Sequence, residues 1–84
     1  MKKYAIIMLH LLEGEIMTFG EKVKAVRYKL FMNQNAMAEK LNVSYSTVNR
    51  WERGHYEPNF KAMATFDKFC KENGIIFGEN GIKE

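Results

Sequence analysis

Four stretches of the 84-residue chain place apolar residues at helical spacing, and a residue able to cap a helix precedes each one. Phe19, Val23, Val26 and Leu30 step by four, three and four, so they share one face of a helix predicted over residues 18–31. Thr18 with Glu21 three residues on forms a capping-box pattern at its start. Asn33 caps a second helix from Gln34 to about Lys40, with Met37, Ala38 and Leu41 turned inward. Asn42 then stands where the chain must turn, and asparagine is among the few non-glycine residues that tolerate the left-handed conformation needed there. Ser44 caps a third helix, Tyr45 to Arg53, which Gly54 ends and which sends Val48 and Trp51 to the core. Pro58 closes a short loop, and Asn59 caps a fourth helix reaching about Asn73. Its expected apolar face is Phe60, Met63, Phe66, Phe69 and Cys70, and Gly74 stops it.

The two ends are less regular. Residues 1–17 carry Tyr4, Ile7, Met8, Leu11 and Leu12 at helical spacing, which favours an amphipathic helix; a strand over Tyr4 to Leu9 is the alternative. This arm would pack either on the chain's own core or on a second copy. The two lysines and the apolar run after them imitate a signal peptide, but Glu13 and Glu15 stand where a small-residue cleavage site would be, so secretion is not expected. The run is also too short to span a bilayer. Residues 74–84 hold two short apolar pieces around an Asn-Gly turn signal and admit a small β-hairpin. The organisation read from the pattern is therefore an arm (1–17), a helical domain (18–73) and a tail or hairpin (74–84).

Composition narrows the function classes. A single cysteine, Cys70, excludes an internal disulfide and a cysteine-based zinc site, and suits a reducing, cytoplasmic compartment. His10 and His55 are far apart, so a metal site is not expected, and no glycine-rich phosphate loop or nucleophile–base pair points to an enzyme. The formal charge is +3, and its placement matters more than its size. Residues 1–17 and 59–84 are each balanced, whereas residues 18–58 carry seven Lys or Arg against four Glu. The basic surplus thus belongs to the segment holding the second and third helices, a modest pointer to phosphate.

With Val48 and Trp51 on the core side of the third helix, 100° per residue sends Ser46, Asn49, Arg50 and Arg53 outward and leaves Tyr45 at the side of the first turn. Arg can donate two parallel hydrogen bonds to guanine, Asn can make the matching pair with adenine, Ser serves either, and a Tyr ring packs on a thymine methyl. Taken singly each is an ordinary surface residue; the set on one helix face carries the argument. Arg27, beside an apolar stripe, calls for a partner, since a buried charge without one is costly.

Residues 18–73 resemble a Cro/repressor-type (Cro/C1, XRE-like) helix-turn-helix domain, about two-thirds of the chain. The matching features are ordered: Gln34 opening the second helix, Ala38 as the small residue at the helix crossing, Leu41-Asn42-Val43-Ser44 through the turn, Ser46-Thr47-Val48, then Arg50-Trp51-Glu52-Arg53-Gly54 and Pro58. The family usually has Gly where this chain has Asn42. The resemblance implies an all-α, lambda-repressor-like bundle of four to five short helices. It implies a transcriptional regulator, a repressor, that binds double-stranded DNA as a homodimer and needs no cofactor. It assigns Gln34 to the DNA backbone and to bracing the first residues of the recognition helix, Tyr45, Ser46, Asn49 and Arg50 to base reading, and Arg53 to the backbone. It pairs Arg27 with Glu52 as a structural ion pair. An antitoxin with a toxin partner, or a restriction-system controller, would use the same domain, and a protein-binding adaptor would keep the fold without reading DNA.

Overall fold

The computed structural model describes residues 17–55, 57–78 and 81–83. Four helices and one short hairpin follow in order: α1 (Phe19–Lys29), α2 (Gln34–Leu41), α3 (Tyr45–Glu52), α4 (Phe60–Glu72), β1 (Phe77–Gly78) and β2 (Gly81–Ile82). The expectations for residues 1–16 lie outside the described residues, as does Asn80 of the Asn-Gly turn.

Each helix begins on a side chain that takes up one of its orphan amides. Thr18 Oγ1 accepts from the Glu21 amide at 3.0 Å while Glu21 Oε1 accepts from the Thr18 amide at 2.9 Å, closing the capping box. Asn33 accepts from Ala36 at 2.8 Å, Ser44 from Thr47 at 3.1 Å and Asn59 from Ala62 at 2.8 Å. The four ends are alike too. In each, a residue in the left-handed region donates three residues back while its successor donates five back: Met32 to Arg27, Val43 to Ala38, His55 to Arg50 and Ile75 to Cys70. This paired pattern is the Schellman motif. The left-handed residues are Phe31 (φ 57°), Asn42 (φ 58°), Gly54 (φ 77°) and Gly74 (φ 68°).

Phe31 corrects the first helix, which was expected to run to residue 31. The helix stops at Lys29 because Phe31 reverses the chain, which puts Met32 against the core and leaves the Phe31 ring 96% exposed. A bulky residue at positive φ is an outlier, and an unburied one gains nothing from packing to offset the strain.

The core is a single cluster: Val23 and Val26 of α1, Met37, Ala38 and Leu41 of α2, Val48 and Trp51 of α3, Phe66, Phe69 and Cys70 of α4, and Ile75 beyond it. α1 packs on α3, α3 on α2, and α2 on α4. The α1–α3 contact is close because Gly20 lies on the backbone of α3; a Cβ at residue 20 would collide with the Trp51 carbonyl. Phe19 sits edge-on to both Trp51 (4.9 Å between centroids) and Phe66 (5.1 Å) and so joins α1, α3 and α4. The hairpin pairs Phe77 with Ile82 and Gly78 with Gly81, and β2 packs on α1. A two-stranded hairpin is marginal alone; here Phe77 and Ile82 lean on the core.

The expected apolar face of α4 holds only in part. Phe66, Phe69 and Cys70 are buried, but Phe60 is 82% and Met63 48% exposed. These two side chains stand on a stretch of the same stripe that no described element covers.

Candidate nucleic-acid interface

The short turn between α2 and α3 sets how α3 is presented. Asn42, at φ 58° and ψ 45°, ends α2 in a left-handed residue, and Val43 folds back to donate to Ala38 at 3.0 Å. Ser44 starts α3 two residues later, its hydroxyl also 2.8 Å from Thr47 Oγ1. Val48 and Trp51 anchor the inner side of α3 at 0% and 3% exposure. Ser46, Arg50 and Arg53 are exposed, Tyr45 is half-exposed, and Asn49 and Gln34 are half-buried.

A chain of polar side chains ties this face to the bundle. Arg27 of α1 grips Glu52 of α3 in two parallel bonds, Nε to Oε2 and Nη2 to Oε1, both 2.8 Å. The side chains keep only 11% and 5% of their exposure. Arg27 Nη1 also donates to the Met32 carbonyl at 3.2 Å, and its guanidinium lies 4.9 Å from the centre of the Tyr28 ring. Gln34 continues the chain: Nε2 donates to Glu52 Oε1 at 3.0 Å, and Oε1 accepts from Asn49 Nδ2 at 3.3 Å. The resemblance assigns Gln34 to bracing the first residues of α3; its side-chain hydrogen bonds run to Asn49 and Glu52, in the middle and at the end of that helix.

The charges follow this geometry. Burial pushes the Glu52 carboxyl up, but hydrogen bonds from Arg27 and Gln34 outweigh it and hold the group below its ordinary range. The hydrogen bond to Glu52 raises Arg27 against the opposing effect of burial, so both stay ionised. Elsewhere, burial pushes the Cys70 thiol up to about 11, which marks a core thiol and not a nucleophile. Among the described residues no His, Cys, Asp and Glu cluster in a way that would hold a metal, and no helix is long and apolar enough to cross a membrane.

The outward face therefore offers hydrogen-bonding groups of both kinds on one rigid helix. The opening turns of α2 and α3 each present backbone amides, the usual anchor for a phosphate. The Gln34 bridge and the Gly20 crossing were not anticipated from the sequence. A glycine inside an apolar-periodic helix does flag a close approach, whereas nothing local to Gln34 indicates which side chains it meets.

The Helix-turn-helix family matches residues 23–71. Among curated proteins, the chain is 33% identical over 70 residues to the HTH-type transcriptional regulator DicA of Escherichia coli, covering 81% of this chain and 52% of that protein. It is 31% identical over 62 residues to Repressor protein C2 of Salmonella phage P22, covering 71% and 29%. It is 34% identical over 53 residues to the HTH-type transcriptional activator BcrR of Enterococcus faecalis, covering 63% and 26%. The chain thus spans about half the length of the first of these and less than a third of the other two. No solved structure gives a significant match. With the family pattern covering more than half of the chain and running through α1 to α4, the chain belongs to the Cro/C1-type, XRE-like helix-turn-helix family.

Proposed function

We propose that the chain is a sequence-specific DNA-binding transcriptional regulator, a repressor, that reads the major groove of double-stranded DNA with α3. The observation that carries this is the outward face of α3, where Ser46, Asn49, Arg50 and Arg53 stand together on a helix held from behind by Arg27, Glu52 and Gln34. In this reading Tyr45, Ser46, Asn49 and Arg50 touch base edges, and Arg53 and Gln34 touch the backbone. Phosphate contacts fix the register and base contacts supply the discrimination, roughly 1–3 kcal/mol for each good bidentate pair. Residues 18–73 form the DNA-binding unit. It works in the cytoplasm, without a cofactor or catalysis, as a two-fold homodimer whose α3 helices lie about 34 Å apart on successive major grooves. Relatives named as regulators and repressors support the transcriptional part of this reading.

Selection of preferred sequences from a random DNA pool is the direct test. The expected result is a palindromic motif, bound by the wild type and lost or relaxed at one position per half-site by Arg50→Ala. Equal, weak binding of wild type and Arg50→Ala to mixed DNA, with no motif selected, would overturn base reading by α3. It would favour a protein-interaction role, such as an antitoxin engaging a toxin. A reporter downstream of the selected site distinguishes repression from activation.

A further inference from the structure

The end of α1 and the turn after it leave two aromatic rings in solvent. Tyr28 is 60% and Phe31 96% exposed. The two are neighbours, since the Phe31 amide donates to the Tyr28 carbonyl at 3.1 Å. Phe31 also holds a left-handed backbone, φ 57°, and buries nothing in return. Strain of this kind gathers where a protein meets a ligand. The surroundings indicate which one. From Lys22 to Ala38 the chain carries Lys22, Lys24, Arg27 and Lys29 and no Asp or Glu. Two of these cations lie by the Tyr28 ring, the Arg27 guanidinium at 4.9 Å from its centre and Lys24 Nζ at 5.8 Å. The turn is also continuous with the outward face of α3. Arg27 holds the Met32 carbonyl with one nitrogen and Glu52 with the other two. Gln34, three residues after Phe31, bonds Asn49 and Glu52.

We infer that Phe31 packs on a deoxyribose of the DNA backbone beside the groove that α3 enters, and that Lys24 pairs with a phosphate next to it. The inference rests on α3 docking on DNA, not on which bases it reads. A cationic edge free of acidic neighbours in sequence suits a polyanion, and an exposed ring on that edge suits the apolar face of a sugar. Contacts of this class fix register and add affinity but carry no sequence information. They also give a reason for phenylalanine in a turn that glycine would hold without strain: its ring gains its contacts only in the complex.

The test uses the full chain and two duplexes, one carrying the sequence selected from a random pool and one of mixed sequence. Phe31→Gly keeps the turn and removes the ring, and Lys24→Gln removes one charge; urea unfolding followed by Trp51 fluorescence checks both folds. Phe31→Gly should be at least as stable as wild type yet bind both duplexes about fivefold more weakly, as for burial of roughly half a phenylalanine side chain. A purely structural role would not separate stability from binding in this way. Its selected motif should be unchanged, and hydroxyl-radical footprinting, which reads deoxyribose exposure, should show lost protection at a sugar flanking the bases read. Lys24→Gln should lower the slope of log affinity against log salt by about one for each half-site bound. A loss in Phe31→Gly on mixed DNA, with no motif selected by wild type, upholds this contact while base reading by α3 fails. Equal binding of wild type and Phe31→Gly to both duplexes, with the same sugars protected, overturns the inference.

Discussion

The Arg27–Glu52 pair sets how firmly the outward face of α3 is held, and cutting it has a calculable consequence. Glu52→Ala strips the guanidinium of both 2.8 Å bonds and leaves it the Met32 carbonyl at 3.2 Å and the Tyr28 ring. It also removes the acceptor of Gln34 Nε2. Breaking one side of a buried pair costs about 3–5 kcal/mol, mostly because the surviving charge stays desolvated. The pair is not sealed from water, at 11% and 5% side-chain exposure, so the lower end, about 3 kcal/mol, is expected for Glu52→Ala. Arg27→Met should cost about as much, since Glu52 then keeps only Gln34. The double variant leaves no orphaned charge and should lie near either single one, a coupling of about 2–3 kcal/mol. Urea unfolding at pH 7 followed by Trp51 fluorescence supplies all four corners of the cycle, provided the slopes agree. Single costs below about 1 kcal/mol, or singles that add in the double variant, would show a surface pair of little consequence and refute the reasoning.

Three further outcomes follow from particular residues. Gly20→Ala should destabilise by about 2–3 kcal/mol through its collision with the Trp51 carbonyl, although helix propensity alone gives a gain of about 1 kcal/mol; urea midpoints decide the sign. Phe31→Gly should stabilise by about 0.5–1 kcal/mol, because it relieves a left-handed phenylalanine and forfeits no burial, and Asn42→Gly should change stability less, since asparagine already tolerates φ 58°. Glu52, with its folded-state pKa lowered, contributes stability that is fully present above the ordinary glutamate value of about 4.3 and is lost as the pH falls through the depressed one. The stability gap between wild type and Glu52→Gln should therefore be widest near pH 7 and shrink below pH ~4, and a gap independent of pH would contradict it.

The helices were legible because their signals are local. Thr18, Asn33, Ser44 and Asn59 each cap within three residues, and the turn at Asn42 rests on one backbone conformation. Two misreadings share one cause, the use of periodicity where the environment decides. Leu30 and Phe31 continue an apolar run, yet the chain reverses there to bring Met32 inward. Phe60 and Met63 continue the stripe of Phe66 and Phe69, but no described element lies over them. The Arg27–Glu52 contact spans 25 residues and came from family resemblance, since spacing alone carries no information about it. The Gln34 bridge was missed for the same reason: its partners lie 15 and 18 residues away, and only the packing of α2 on α3 brings them together.

That bridge constrains how Asn49 can read a base. An asparagine facing adenine needs its Oδ1 to accept from N6 and one Nδ2 hydrogen to donate to N7. Nδ2 carries two hydrogens. One is directed to Gln34 Oε1 at 3.3 Å, which leaves the other and the oxygen for the groove. The bond also settles which end of the amide faces Gln34, because Gln34 Nε2 is occupied by Glu52 and only its oxygen remains on the Asn49 side. The orientation of a proposed base-reading side chain is thus set, through Gln34 and Glu52, by a guanidinium on α1. On this argument Gln34→Met should keep the volume, remove the acceptor and release Asn49. Gln34→Glu loses the donor to Glu52 and repels it, but its carboxylate still accepts from Asn49 Nδ2. If Asn49 orientation matters, Gln34→Met should lose discrimination at the base position Asn49 reads in a binding selection. If only Gln34→Glu does so, the loss is electrostatic and Asn49 needs no brace.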